Sequence, residues 1–248
     1  MKILVCISSV PDTTSKINFT PDGKEFDKND IQLIINPMDE FSLTRAIQLQ
    51  TSASATVTVL GVGDASIEPI LRKALAIGAN DAIRINGTAI DSNFVAIQIS
   101  EIVKENAYDL VLTGKESLDY NGGVVPAMIA AHTDYNFINA CVGLEIEGTN
   151  VTADRDLDGS RENVSFTLPA VVAGQKGIVE EKDLKIPNMR GIMQARSKPL
   201  NVIEPLGTKE SLTVIGYEKP NAKSTVKMVS PDNLDELVTL LREDAQAF

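Results

Sequence analysis

Two hydrophobic patterns alternate along the first half of the chain. Short, nearly continuous aliphatic or β-branched runs occupy residues 3–7, 56–60, 81–85 and 109–113, as expected of strands buried on both faces. Between them apolar residues recur at helical spacing: Phe41, Leu43, Ala46, Ile47 and Leu49; Ile67, Ile70, Leu71, Ala74 and Leu75; Phe94, Ile97, Ile99, Ile102 and Val103; then residues 127–131. The punctuation agrees. Asp39 and Glu40 follow Asn36-Pro37 in a first helical turn, Gly78 stands at a helix C-terminus, and Asp91 or Ser92 caps the third helix. Strand, helix, strand, helix at this spacing predicts an α/β fold with parallel strands joined by right-handed crossovers. Such sheets bind ligands outside the carboxyl ends of their strands, near the point where strand order reverses. The loops at 8–12, 61–65 and 114–125 lie there.

Beyond residue 135 the texture changes. Residues 142–172 read as short strands with turns at Glu147-Gly148 and Asp158-Gly159, forming an antiparallel ribbon or sheet edge. Residues 174–200 lack long apolar periodicity. From 201 onward come β-like pieces at 212–215 and 225–229. A last helix at 231–242 has Asp232 in its first turn and Leu234, Leu237, Val238 and Leu241 on its apolar face. The expected organisation is an α/β domain over 1–200 and a C-terminal arm over 201–248, suited to packing on a partner chain.

Composition narrows the function. A net charge of −11 over 248 residues disfavours nucleic acid and anionic membrane as main partners. Cys6 and Cys141 both sit in apolar runs and read as buried free thiols; with His132 as the lone histidine, no metal site is expected. No apolar run approaches the ~20 residues of a membrane span, and the first apolar run is too short for a signal-peptide core. The expected compartment is the cytoplasm.

Two segments carry candidate chemistry. Residues 114–123 follow a buried strand and open a helix. Glycines there allow close backbone approach, and a helix N-terminus favours anions such as phosphate; the plainer reading is an ordinary βα loop with a Gly-Gly turn. It is not a Walker loop, since no Gly-Lys-Ser/Thr is present. Residues 186–198 are basic within an acidic protein and rich in Met and Ile, a composition suited to an adaptable recognition surface or to a solvated helix. No Ser-His-Asp or Cys-His set can be assembled, which favours a binding or carrier role.

Taken together, six motifs in order resemble the β subunit of the electron-transfer flavoprotein family. They are Val10-Pro11-Asp12, Asn36-Pro37-Met38-Asp39-Glu40, Leu71-Arg72-Lys73-Ala74-Leu75-Ala76-Ile77-Gly78-Ala79, Asp109-Leu110-Val111-Leu112-Thr113-Gly114-Lys115, Leu168-Pro169-Ala170-Val171-Val172 and Gly191-Ile192-Met193-Gln194-Ala195-Arg196. The resemblance implies a Rossmann-like parallel sheet of the adenine nucleotide α-hydrolase type with an antiparallel extension. It implies an α-subunit partner that holds most of the electron-carrying FAD. It implies a bound adenine nucleotide in this chain, AMP in simple carriers or a second FAD in electron-bifurcating members. Carried across, the nucleotide site comprises Cys6, Ile7, Asn36, Met38, Asp39, Val62, Gly114, Lys115, Ser117, Asp119, Asn121, Gly122, Gly123, Val124 and Val125. The stretch at about 182–198, with Met189, Arg190, Ile192, Met193 and Arg196, matches a recognition loop for acyl-CoA dehydrogenases, as in fatty acid β-oxidation. Asp156 matches a contact to the mobile flavin domain. Electrons would pass to a quinone-reductase-type acceptor, with no catalytic residue in this chain. The sequence departs from the family at Asn121–Pro126, where several aspartates and Gln-Thr/Val-Gly are usual, and at Ser8-Ser9, where a basic residue is usual. The competing readings are a stand-alone nucleotide-binding regulator of the universal-stress type and an adenylating enzyme, the latter lacking its pyrophosphate loop.

Overall fold

The computed structural model describes residues 1–248 apart from 90, 208–210, 222–225 and 248. In chain order the elements are β1 (Lys2–Cys6), β2 (Ser9–Pro11), β3 (Leu33–Ile35), α1 (Pro37–Ser52), β4 (Thr56–Val62), α2 (Glu68–Ile77), β5 (Asp81–Ile85), α3 (Ser92–Asn106), β6 (Leu110–Gly114) and α4 (Val125–Thr133). They continue with β7 (Asn136–Glu147), β8 (Asn150–Leu157), β9 (Ser160–Thr167), β10 (Ala170–Gly174), α5 (Met189–Ala195), β11 (Leu200–Ile203) and α6 (Leu234–Glu243). The main sheet runs β11-β5-β4-β1-β6-β10-β7-β8-β9. From β11 to β7 neighbouring strands are parallel; β7, β8 and β9 form the antiparallel extension.

The continuous apolar strands are explained by what covers them. Ile3, Val5, Leu110 and Leu112 pack with Leu43 and Ala46 of α1 and Leu71 and Leu75 of α2. Leu4, Leu60 and Val111 point the other way, onto Ile99 and Val103 of α3 and Ile129 of α4. Each fully buried Leu or Ile contributes roughly 1.5–3 kcal/mol, so both faces must be apolar. The chain winds β1, β4, β5 outward on one side of β1, then returns to β6 on the other side. Strand order therefore reverses between β1 and β6. Asp91 caps α3, accepting from Asn93 N at 2.8 Å and Phe94 N at 3.3 Å.

Several expectations are corrected. Residues 170–172, expected in an antiparallel ribbon or sheet edge, instead belong to β10, which lies parallel between β6 and β7; an all-apolar strand belongs in the sheet interior. Residues 33–35, the end of a stretch from 13 to 35 that reads as polar and turn-rich, form β3 and pair antiparallel with β2. β11 extends the parallel sheet beyond residue 200. Residues 212–215 form no strand, nor do 226–229; Thr225 of that expected piece lies outside the described residues. Asp232 precedes the last helix, whose cap is Asn233 and whose first-turn acids are Asp235 and Glu236.

The described chain divides into two compact units, Met1–Asn18 with Asp27–Ile215, and Phe19–Phe26 with Gly216–Phe248. The first contains the sheet. In the second, the Phe19 ring stacks on Tyr217 with centroids 4.9 Å apart, and Tyr217 N donates to Gly23 O at 2.7 Å. Its helix α6 leaves Leu234, Leu237 and Val238 exposed.

Candidate functional site

The β1–β6 ladder ends at Val5↔Leu112, yet each strand continues with its other neighbour: β1 with β4 to Cys6↔Leu60, and β6 with β10 to Gly114↔Gly174. The two strands thus part at their carboxyl ends, and one buried carboxylate stands in the gap. Asp39 Oδ2 accepts from Ser8 N at 2.7 Å, and Asp39 Oδ1 accepts from Gly114 N at 2.7 Å. Burial pushes the Asp39 carboxyl up to about 7, against the pull of Ser8, Asn36 and Gly114. Asn36, equally buried, donates from Nδ2 to Glu116 O at 2.9 Å and accepts from Leu118 N at 3.3 Å. Ser42 Oγ donates to Thr113 O at 2.7 Å. The start of α1 is therefore a set of polar hooks holding β1, β6 and the loop after β6. Only Asp39 and Asn36 of this set were visible as a motif. Ser42 was hidden because an isolated serine among apolar helix positions gives no signal.

The remaining nucleotide-site candidates surround this gap. Cys6 ends β1 and Ile7 follows it; burial, and secondarily the Asp39 carboxylate, push the Cys6 thiol up, so it is no thiolate nucleophile. Val62 ends β4, the next strand over. Met38 lies beside Gly114, where an added Cβ would meet Met38 Cβ at 2.8 Å. Lys115 N donates to Gly174 O at 2.8 Å, Ser117 Oγ to Asp119 Oδ1 at 2.5 Å, and Asn121 N to Ser117 O at 2.9 Å, so the loop folds on itself. Asn121 and Gly123 take left-handed φ values of 48° and 61°. Gly122 has open space where a Cβ would go. Val124 occupies the N-cap position of α4, without a side-chain cap and without an acid in the first turn; Val125 begins the helix. Pro126 brings no N–H and Met128 N donates to Val124 O at 3.0 Å, so the N–H groups of Val125 and Ala127 are the donors that this helix start offers an anion.

The basic segment forms a second face. Asn188 Oδ1 caps α5, accepting from Gly191 N at 2.8 Å. Arg72 of α2 donates to Ala195 O at 2.8 Å and Lys198 O at 2.7 Å, while Lys198 Nζ donates to Leu75 O at 2.9 Å and Ala79 O at 2.6 Å, joining α5 to the end of α2. Arg72 and Lys198 were missed as anchors because long cations on a helix read as solvated. With its backbone so tied, α5 leaves Met189 76 % and Met193 69 % exposed. A groove of about 590 Å³ runs between α2 and α5, lined by Pro69, Ala76, Pro187 and Ile192 together with Lys73 and Arg196. Arg190 is exposed. Asp156 is exposed on β8 and accepts from Gln175 Nε2 at 3.2 Å, which places it near the carboxyl end of β10.

A Cβ on Gly191 would strike the Ala76 carbonyl oxygen. Gly191→Ala should therefore lift α5 from α2, with a melting temperature within a few degrees of wild type, since few buried contacts are lost. Faster amide exchange confined to residues 186–198 is the measurement that checks this; unchanged exchange there would refute it.

Among the described residues no helix is long and apolar enough to cross a membrane. The fold and the parted strands define the class: a doubly wound α/β protein with a crevice at the reversal of strand order. The family model for the electron transfer flavoprotein domain matches residues 25–206. The chain belongs to the electron transfer flavoprotein family. It is 32 % identical to an electron transfer flavoprotein subunit beta of Bacillus subtilis (strain 168), over 100 % of both chains. It is 31 % identical to the subunit beta of Syntrophomonas wolfei, over 90 % of this chain and 88 % of the relative. To the mitochondrial subunit beta of Arabidopsis thaliana it is 27 % identical over 99 % of each.

Proposed function

We propose that this chain is the β subunit of a heterodimeric electron-transfer flavoprotein and holds an adenine nucleotide, AMP or FAD, in the crevice between β1 and β6. The observation that carries the reading is the uncapped, acid-free N-terminus of α4, reached through Gly122-Gly123 at the edge where the two strands part. These residues fit a nucleotide: backbone N–H groups for a phosphate, and Cys6, Ile7, Met38 and Val62 as apolar surroundings for a base. The flavin shared with the α subunit supplies one- or two-electron chemistry when bound. This chain's residues bind and orient rather than react; Cys6 is half-buried rather than the fully buried thiol expected, but its thiol is pushed up and is no nucleophile.

The exposed Met189, Ile192 and Met193, with Arg190 and Arg196, form the face for acyl-CoA dehydrogenase-type donors. Asp156 meets the α subunit's flavin domain. The arm, with the open apolar side of α6, packs on the α subunit, and a quinone-reductase-type acceptor receives the electrons. Free Cys6 and Cys141 suit the cytoplasm. Co-expression with an electron-transfer flavoprotein α subunit is expected to give a yellow 1:1 heterodimer. Mass spectrometry of the extracted ligands should then find AMP beside FAD in a simple carrier, or FAD in a twofold amount in a bifurcating one. A colourless homo-oligomer, formed with the α subunit present, would favour the stand-alone regulator.

A further inference from the structure

The carboxylate of Asp39 takes the place of ladder rungs that the sheet lacks. Beyond Val5↔Leu112 no backbone pair joins β1 to β6, and Ile7 N turns instead to Leu60 O at 2.7 Å. Ser8 N and Gly114 N, one from each parted strand, are both donated to this one side chain at 2.7 Å. Asp39 is 3 % exposed, and each carboxylate oxygen already accepts from the protein. Asn36, three residues earlier, ties the loop after β6 to the same helix start. The separation of the two strand ends, and the place of the loop between them, are thus set by α1.

We propose that Asp39, one of the residues the resemblance assigns to the nucleotide site, is the positioning residue of the crevice: its two carboxylate oxygens hold the ends of β1 and β6 at the separation at which both bear on one adenine nucleotide. This rests on the nucleotide reading above. A ligand that needs the two strand ends in fixed register binds less well when one amide loses its acceptor, because ordering them then falls to the binding step. Linkage also makes the effect reciprocal: the nucleotide must stabilise the clasp.

The test uses the full-length protein purified with its α subunit and stripped of nucleotide, titrated with AMP and separately with FAD by calorimetry. In Asp39→Asn the side chain keeps its shape, but one amide meets an NH₂ group. The better of the two ligands should bind at least about tenfold more weakly than to wild type, as expected when a buried amide loses its acceptor. Amide exchange should accelerate at Ser8 and Gly114 and stay unchanged in β4 and β5. In wild type, saturating ligand should slow exchange at Ser8 and Gly114, whose N–H groups face Asp39. This second measurement decides the matter if the variant fails to fold. Affinity within twofold of wild type in a folded Asp39→Asn protein, or no ligand effect on those two amides, overturns the proposal. If wild type binds neither AMP nor FAD, the nucleotide reading itself falls and this inference with it.

Discussion

Gly114→Ala is expected to lower the unfolding free energy by about 3 kcal/mol or more, whereas Gly122→Ala in the same loop should change it by less than about 1 kcal/mol. The two glycines differ in what surrounds them. A Cβ at Gly114 would overlap Asp39 Oδ1, lie 2.8 Å from Met38 Cβ and lie 3.1 Å from Asn36 Nδ2. None of these can yield cheaply. The Asp39 carboxylate is held by two backbone N–H groups, Asn36 is held by the loop, and Met38 Cβ moves only with α1, which Ser42 fastens to Thr113 O. Relief therefore breaks a buried backbone-to-side-chain hydrogen bond as well as packing. Gly122 has nothing within 4 Å of the added atom. Urea unfolding of both variants measures the difference, and equal losses at the two sites would refute this account of the crevice.

The elements that could be read from the sequence were those whose burial is local. Runs covered on both faces, such as 3–7 and 109–113, announced parallel strands, and Asp91 and Gly78 marked helix ends by backbone chemistry that is the same in any fold. What could not be read depended on distant partners. Ala170-Val171-Val172-Ala173-Gly174 is apolar enough for an interior strand, but its insertion between β6 and β7 is a matter of topology, and no local pattern encodes it. β11 is short and half-exposed, so its residues resemble a loop. In the crevice, Asn36-Pro37-Met38-Asp39 was recognisable as a motif, yet the obvious physical reading was a helix start with favourable charge. The carboxylate instead bonds to amides 31 residues earlier and 75 residues later in the chain.

That burial gives Asp39 a distinctive signature in stability against pH. Its ordinary value of 3.8 rises to about 7 in the folded protein. Between these values the folded state binds a proton that the unfolded state has released, so stability falls as pH rises through the window. The relative stabilisation is complete below about pH 4 and gone above about pH 7. Three units at about 1.4 kcal/mol each make the change about 4 kcal/mol. Asp39→Asn carries no titrating group and loses one acceptor for a backbone N–H, at about 1–3 kcal/mol independent of pH. Wild type should therefore be the more stable protein near pH 4.5, and the variant should equal or exceed it near pH 8. Carboxylates held below their ordinary range, Asp64 and Asp91 among them, give the opposite slope at lower pH but are common to both proteins and cancel in the difference. Urea unfolding of the pair from pH 4.5 to 8.5 reads that difference directly. A difference that stays flat, or grows with pH, would mean that Asp39 is ionised throughout and that its two amides and Asn36 stabilise the anion more than burial opposes it.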